Sequence, residues 1–310
     1  MSMPPGLDRQ LADALEGAPY VGLEHPVTAR AAMRALVAAL EEPAGDFRVE
    51  VTDRTIPGAP PVPVRIYRPV RAAGPTPVLV YFHGGGFVTG GLENEHGRCL
   101  AFAGEEGIAV VSVGYRLAPE HPFPAGLDDC HAATTWAQAH ASGFGGDPAR
   151  VAVGGGSAGG ALAAADALRA RDEGGPPLAF QMLLYPVLDD RMDTPSMRAF
   201  TDPPLFNRTD AAHMWRHYLG GRPATPYAAP ARAGDLAGLP PAYVLAAEFD
   251  PLRDEALEYA RRLIEARVPT ELRHVPGVCH GFDGVLSADA ARRAFAEQRD
   301  VLRRNLWTAP

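Results

Sequence analysis

The rhythm of apolar positions changes twice along this chain. Residues 8–17 and 26–42 carry apolar side chains three and four apart, with Leu11, Leu15, Met33, Leu36, Val37 and Leu40 as the stripe, which predicts two amphipathic helices. Phe47–Arg54 and Val62–Arg68 then alternate, as antiparallel strands near a sheet edge do. Beyond them the runs Val78–Phe82, Ile108–Val113, Val151–Val153 and Met182–Leu184 are almost continuously apolar, and Tyr243–Ala247 and Leu272–Val275 follow the same style. Helical stretches at about 95–106, 125–141, 158–172, 252–267 and 288–306 separate them. This succession predicts an α/β protein whose mostly parallel sheet is buried on both faces.

One stretch breaks the rhythm. Residues 187–238 hold several prolines, Trp215, Tyr218 and a short helical pattern from Thr209 to Leu219. The segment reads as an insertion that joins the N-terminal helices in a lid over the C-terminal edge of the sheet, where open α/β sheets bind ligands. The alternative is a surface excursion with its own small core. The chain divides accordingly into N-terminal cap helices (1–45), a first part of the core (46–186), a cap insertion (187–238) and a second part of the core (239–310).

Composition narrows the function classes. An apolar content of 46% with 21% charged residues fits a substantial core. The net charge of −8 is dispersed and no basic tract occurs, which argues against nucleic acid and anionic membranes as partners. The chain has no lysine, so all 29 basic residues are arginine. That excludes Schiff-base chemistry, a Ser-Lys dyad and a phosphate-gripping P-loop, each of which needs a lysine amine. Cys99, Cys130 and Cys279 are odd in number and lack metal-ligand spacing, as reduced thiols of a cytoplasmic protein would. The first twenty residues lack a signal-peptide pattern, and no apolar run approaches the roughly 18 residues needed to span a membrane. A cytoplasmic location without metal or organic cofactor is the expectation.

The candidate chemistry centres on Val151-Ala152-Val153-Gly154-Gly155-Gly156-Ser157-Ala158-Gly159-Gly160. An apolar run ends in glycines, and a small-residue helix pattern follows. Gly155, Ser157 and Gly159 occupy the three places of the G-x-S-x-G nucleophile elbow. Gly154, Gly156 and Gly159 also spell the dinucleotide pattern G-x-G-x-x-G, but the acidic Asp172 and Glu173 fall at the end of the first helix, before any second strand. A glycine cluster used only for packing is the third reading.

An activated serine needs a base, an orienting acid and oxyanion donors. His280 lies in the glycine-containing loop Pro276–Phe282 and is preferred as base over His274, which falls inside a strand pattern. Asp250 stands at a strand end just before Pro251, with Asp254 and Glu255 already helical. It is the preferred acid, Glu248 is the second choice, and a simple helix N-cap is the competing role. His83-Gly84-Gly85-Gly86-Phe87 follows the strand Val78–Phe82, so glycine N–H groups there and that of Ala158 can form an oxyanion hole.

From about residue 47 to the end, the chain resembles the bacterial hormone-sensitive-lipase-like esterases, and more distantly the plant carboxylesterases. The resemblance rests on His83–Phe87, Tyr115–Ala125, Asp128-Asp129, Trp136, the elbow, Asp250–Glu255 and His280-Gly281-Phe282. It implies an α/β-hydrolase core of eight mostly parallel strands with a helical cap. It further implies a triad of Ser157, Asp250 and His280, and an oxyanion hole of the Gly85, Gly86 and Ala158 N–H groups. His83 and Tyr115–Ala125 become supports, and Tyr185, Leu205, Phe206 and Phe282 are the candidate substrate contacts. The implied activity is serine carboxylesterase action on short-to-medium acyl esters, with no cofactor. The same triad would serve an amidase, formamidase or lactonase, and plant gibberellin receptors use the fold without the triad histidine. A small-molecule ester is the expected partner, and a homodimer the one protein partner considered.

Two departures stand out. Gly156 replaces the usual Asp or Thr before the serine, and Ala246-Ala247-Glu248-Phe249 precedes the acid where small residues and glycine are usual. If φ at 156 is negative, Gly156→Asp is expected to stabilise; if a neighbour fills the space, it overpacks. Cys279 adjoins His280, so a bulky thiol reagent there is expected to crowd the base.

Overall fold

The computed structural model describes residues 3–307 apart from 19, 40–42, 71 and 73. Leu40 of the predicted stripe therefore lies outside the described residues. Eight strands form one sheet: β1 (Val49–Ile56), β2 (Val62–Pro69), β3 (Thr76–Phe82), β4 (Ala109–Val113), β5 (Gly146–Gly156), β6 (Gln181–Leu184), β7 (Ala242–Phe249) and β8 (Thr270–Cys279). Their order is β1-β2-β4-β3-β5-β6-β7-β8, and all neighbours are parallel except β1–β2 and β2–β4. The helices are α1 (Arg9–Leu15), α2 (Pro26–Ala39), α3 (His96–Glu106), α4 (Ala125–His140), α5 (Ala158–Asp172), α6 (Pro195–Ala199), α7 (Arg208–Leu219), α8 (Arg253–Glu265) and α9 (Asp289–Trp307). The predicted fold class is the observed one.

Strand β3 shows why its residues make a central strand. All seven are buried, and successive side chains enter opposite cores. Val78, Val80 and Phe82 join the core with α4, α5 and α8, while Leu79 and Tyr81 join the one with α1, α3 and α9. Helix α5 is almost wholly buried and built largely from alanine and glycine, as a helix pressed close against a sheet must be. At the edges the pattern misleads. β1 is mostly exposed on both faces. Leu272 and His274 of β8 face solvent, so this strand is not the buried run its apolar residues imply. Edge strands tolerate this when charges such as Glu271 and Arg273 discourage further pairing.

Residues 187–238, between β6 and β7, contain α6 and α7. Both ends of this stretch are bound into the core. Leu188 N–H donates to Glu255, and Ala231 N–H donates to Leu188 O. Its middle meets the N-terminal segment: the Tyr20 hydroxyl donates to Asp210 at 2.8 Å, Leu23 N–H donates to the same carboxylate, and His217 Nε2 contacts Leu23 O at 3.1 Å.

Between β4 and α4 the chain is pinned by the charge pair of Arg116 and Asp129. Asp129 is buried, accepts the Arg116 backbone N–H at 2.8 Å, and takes the Arg116 guanidinium through both oxygens. The fork geometry suits a planar guanidinium. Asp129→Ala leaves a half-buried cation and an orphaned N–H. The expected loss is about 3 kcal/mol, the lower end for breaking a buried pair, because Arg116 still reaches water. Urea denaturation should show a lower midpoint at unchanged slope, and a midpoint equal to that of the parent would contradict the assignment.

Candidate active site

The chain turns sharply between β5 and α5, and Ser157 sits at the turn with φ 58° and ψ −119°. Such a conformation costs a non-glycine residue about 1–3 kcal/mol and persists only where its surroundings over-determine it. Here they do. Ser157 N–H donates to Leu184 O at 2.9 Å, and its carbonyl accepts from Ala161 and Val187. A Cβ on Gly155 would lie 2.4 Å from Phe82 O, and one on Gly159 would lie 2.0 Å from the same atom. The two glycines are steric requirements of the turn, as the sequence spacing implies.

The imidazole of His280, just past β8, joins two partners. Its Nδ1 lies 2.7 Å from Asp250 Oδ2 and its Nε2 lies 2.9 Å from Ser157 Oγ. A carboxylate only accepts, so Nδ1 carries the hydrogen and Nε2 is left to accept from the serine hydroxyl. Asp250 is fully buried and its other oxygen accepts Leu252 N–H at 2.9 Å, which fixes the carboxylate plane. The alternatives are placed elsewhere. His274 is exposed on the edge strand. Glu248 accepts Gly277 N–H at 2.6 Å, Asp254 accepts Ser196 N–H at 2.7 Å, and Glu255 is buried beneath residues 188–189.

The glycine loop is equally constrained. Gly85 and Gly86 have φ of 115° and 61°, which side chains rarely adopt. The Gly84 carbonyl accepts from His83 Nδ1 at 2.7 Å, and the Gly85 carbonyl accepts from Val88 and Thr89. In a planar trans peptide the N–H points opposite the preceding carbonyl. The Gly85 and Gly86 N–H groups are thereby aimed away from those donors. Among the described residues neither has a protein acceptor, and Ala158 N–H, in the first turn of α5, has none either. His83 stacks on Tyr115 at 4.1 Å, and the Tyr115 hydroxyl donates to His83 O. Burial pushes the His83 imidazole down to about 4, so it is a neutral structural donor.

Ser157, His280 and residues Gly84–Gly86 open onto a cavity of about 190 Å³. Leu15, Val21, Leu23, Met33, Leu36 and Val37 supply an apolar wall from the N-terminal segment, and Leu205, Phe206 and Tyr185 close other sides. Phe206 lies against the His280 ring at 4.9 Å. Phe282 does not belong with them. It is fully buried in the core beside α9 and lines no part of this cavity, because the residue two after His280 turns inward. Sequence reasoning missed the cavity's polar side, made by Asn94, Glu95, Arg98 and Asp283. Their spacing carries no motif that could have marked them.

A family model described as the alpha/beta hydrolase fold matches residues 79–284. The chain belongs to this family, in its hormone-sensitive-lipase-like branch. Among this hydrolase's relatives, the esterase LipI of Mycobacterium tuberculosis is 42% identical over 82% of this chain and 83% of its own length. A bacterial heroin esterase of known structure is 46% identical with a TM-score of 0.94, covering 97% of this chain and 98% of that one. The esterase LipW from Mycobacterium marinum is 44% identical with a TM-score of 0.88, covering 97% and 96%.

Two expectations change with the geometry. Cys279 is fully buried, and burial pushes its thiol up to about 12, so it is inert where crowding of His280 was expected. Cys99 and Cys130 are buried as well. The native hydrolase should leave all three thiols unreacted with an aromatic disulfide reagent until denaturant is added. A thiol titrating within minutes in native buffer contradicts this.

At Gly156, φ lies outside the left-handed region, so the backbone does not demand glycine. The obstacle is Tyr185, whose ring would stand 3.2 Å from a Cβ there. Tyr185 is buried and its hydroxyl is tied to Asp283 at 2.5 Å, so it cannot swing aside. Gly156→Asp should therefore destabilise by roughly 1–3 kcal/mol through overpacking. A denaturation midpoint at or above that of the parent would show that the tyrosine yields.

Proposed function

We propose that this hydrolase is a serine carboxylesterase acting on short-to-medium acyl esters through an acyl-enzyme. The observation that carries the reading is the unbroken hydrogen-bond line Asp250–His280–Ser157, ending on a serine that faces a cavity beside three uncommitted N–H groups. In this reading His280 Nε2 takes the Ser157 proton as Oγ attacks the ester carbonyl. The Gly85, Gly86 and Ala158 N–H groups receive the developing oxyanion, an interaction worth about 10²–10³ in rate per donor. Asp250 holds the tautomer and stabilises the imidazolium. The imidazolium then protonates the departing alcohol, and His280 next activates water to release the acid. The N-terminal helices and the middle of residues 187–238 act as a cap. Their side chains set acyl preference, and a cavity below the roughly 300–1,000 Å³ of drug-sized ligand sites favours small acyl groups.

Amidase, formamidase and lactonase readings share this machinery. Only kcat/KM on matched ester, amide and lactone substrates separates them. A receptor reading is disfavoured, since His280 is present and bonded to both partners. Among the described residues no helix is long and apolar enough to cross a membrane.

Turnover of p-nitrophenyl esters of graded chain length tests the reading. Ser157→Ala should lower kcat/KM by at least about 10⁴-fold, and Asp250→Asn should cost far more than Asp254→Asn. Residual activity of Ser157→Ala within tenfold of the parent sinks the nucleophile assignment. The reverse ranking of the aspartates moves the orienting acid into α8.

A further inference from the structure

We propose that Tyr185 and Asp283 form a positioning pair that holds the His280 imidazole in line with Ser157, with the Tyr185 ring filling the space over Gly156. The inference rests on the reading of Ser157 and His280 as nucleophile and base.

Tyr185 follows β6 directly. It is held at φ 37°, in the left-handed region, although it is a bulky residue. Its N–H donates to Leu245 O at 2.7 Å, which fixes that backbone. Of the six non-glycine residues with positive φ among the described residues, Ser157, Tyr185 and Leu205 line the cavity. Strain held at a site is held there by its surroundings. At Tyr185 the result is a ring aimed between two elements. One side fills the space over Gly156 at 3.2 Å from where a Cβ would stand. The ring meets the His280 imidazole at 4.9 Å and 66°, an edge-to-face contact. The missing side chain at 156 and the tyrosine ring are therefore one arrangement: the glycine makes room for the tyrosine.

The tyrosine is in turn held by its hydroxyl. It donates to Asp283 Oδ1 at 2.5 Å. Burial first, and the adjacent Asp283 carboxylate second, keep the phenol protonated well above its usual range, so it remains a donor. Asp283 Oδ2 accepts from Gln298 Nε2 at 2.6 Å and Arg98 at 3.2 Å. Arg98 also reaches Gln298 and Glu95, so α3 and α9 converge on one carboxylate. Asp283 is buried and lies three residues after His280, in the short turn of residues 282–284. It thus acts on the base twice, by anchoring the loop that carries His280 and by fixing the ring that packs on it. Neither residue exchanges a proton with substrate. Their effect is on the angle and distance at which Nε2 meets Oγ, where small misplacements cost large factors in rate.

The test separates positioning from mere stability. Ser157→Ala, Tyr185→Phe, Asp283→Asn and the Tyr185→Phe/Asp283→Asn double variant are assayed on a short p-nitrophenyl ester. Reactive sites are counted by stoichiometric phosphonylation, so that kcat is expressed per competent serine. Tyr185→Phe keeps the ring and removes only the hydroxyl, which makes it the variant that keeps the fold. The expected result is a fall in kcat per site of about tenfold for each single variant, with KM within twofold. The double variant should fall by about as much as Asp283→Asn alone, because the Tyr185 hydroxyl acts only through its bond to Asp283. Tyr185→Phe with kcat per site within twofold of the parent overturns the proposal. So does a loss confined to KM, a loss explained by fewer titratable sites, or a multiplicative effect in the double variant. Turnover that survives in Ser157→Ala overturns the underlying reading instead, whatever Tyr185 does.

Discussion

The close approach of Gly155 and Gly159 to the Phe82 carbonyl is the constraint on which the rest of the site depends. It lets the end of β5, the start of α5 and the end of β3 share a space that a single Cβ would fill. Phe82 is followed by His83 and the glycine loop, so the same contact that shapes the turn at Ser157 also sets the Gly85 and Gly86 N–H donors beside it. Serine and donors are therefore not placed separately. Both are consequences of two adjacent parallel strands ending at the same level, Phe82 opposite Gly155. The third partner arrives the same way. Phe249 pairs with Cys279 after a register shift in β7–β8, which brings Asp250 and His280 side by side. A sheet edge thus converts strand register into hydrogen-bond distance.

Much of this was legible beforehand, for identifiable reasons. Continuous apolar runs report burial on both faces, so β3, β4 and β6 fall close to where the pattern puts them. Glycine spacing reports steric necessity, so the elbow and the loop after β3 could be read directly. Asp250 was separable from its three neighbouring carboxylates because Pro251 marks the turn into α8. What was not legible depends on contacts between distant segments. Asp283 meets Gln298 and Arg98 across 15 and 185 residues, and no local pattern encodes such a meeting. Phe282 follows His280 by two, yet whether it faces cavity or core is decided by the turn at Gly281, with φ 66°. Edge strands also escape, because β8 satisfies the strand pattern while exposing Leu272.

The hydrogen-bonded polar residues and the apolar wall of the cavity are drawn from different parts of the chain. The serine, the histidine and the acid all leave sheet strands, whereas the apolar wall of the cavity comes from residues 15–37. That wall is fastened at few points. Tyr20 and Leu23 hold Asp210, His217 meets Leu23, and Arg30 reaches Val88 O, Ala118 O and Glu120. The last set matters because Val88 N–H and Val88 O lie on the glycine loop's own turn: the first donates to Gly85 O and the second accepts from Arg30. The apolar wall and the glycine loop are thereby joined twice, through Val88 and where the Leu23 side chain lies over Gly86, 2.5 Å from where a Cβ on it would stand. Arg30 thus ties the N-terminal segment to the turn that sets the Gly86 N–H. The apolar wall of the cavity and the glycine loop are therefore one packed unit, and Arg30 and Leu23 are where the N-terminal segment is fastened to it.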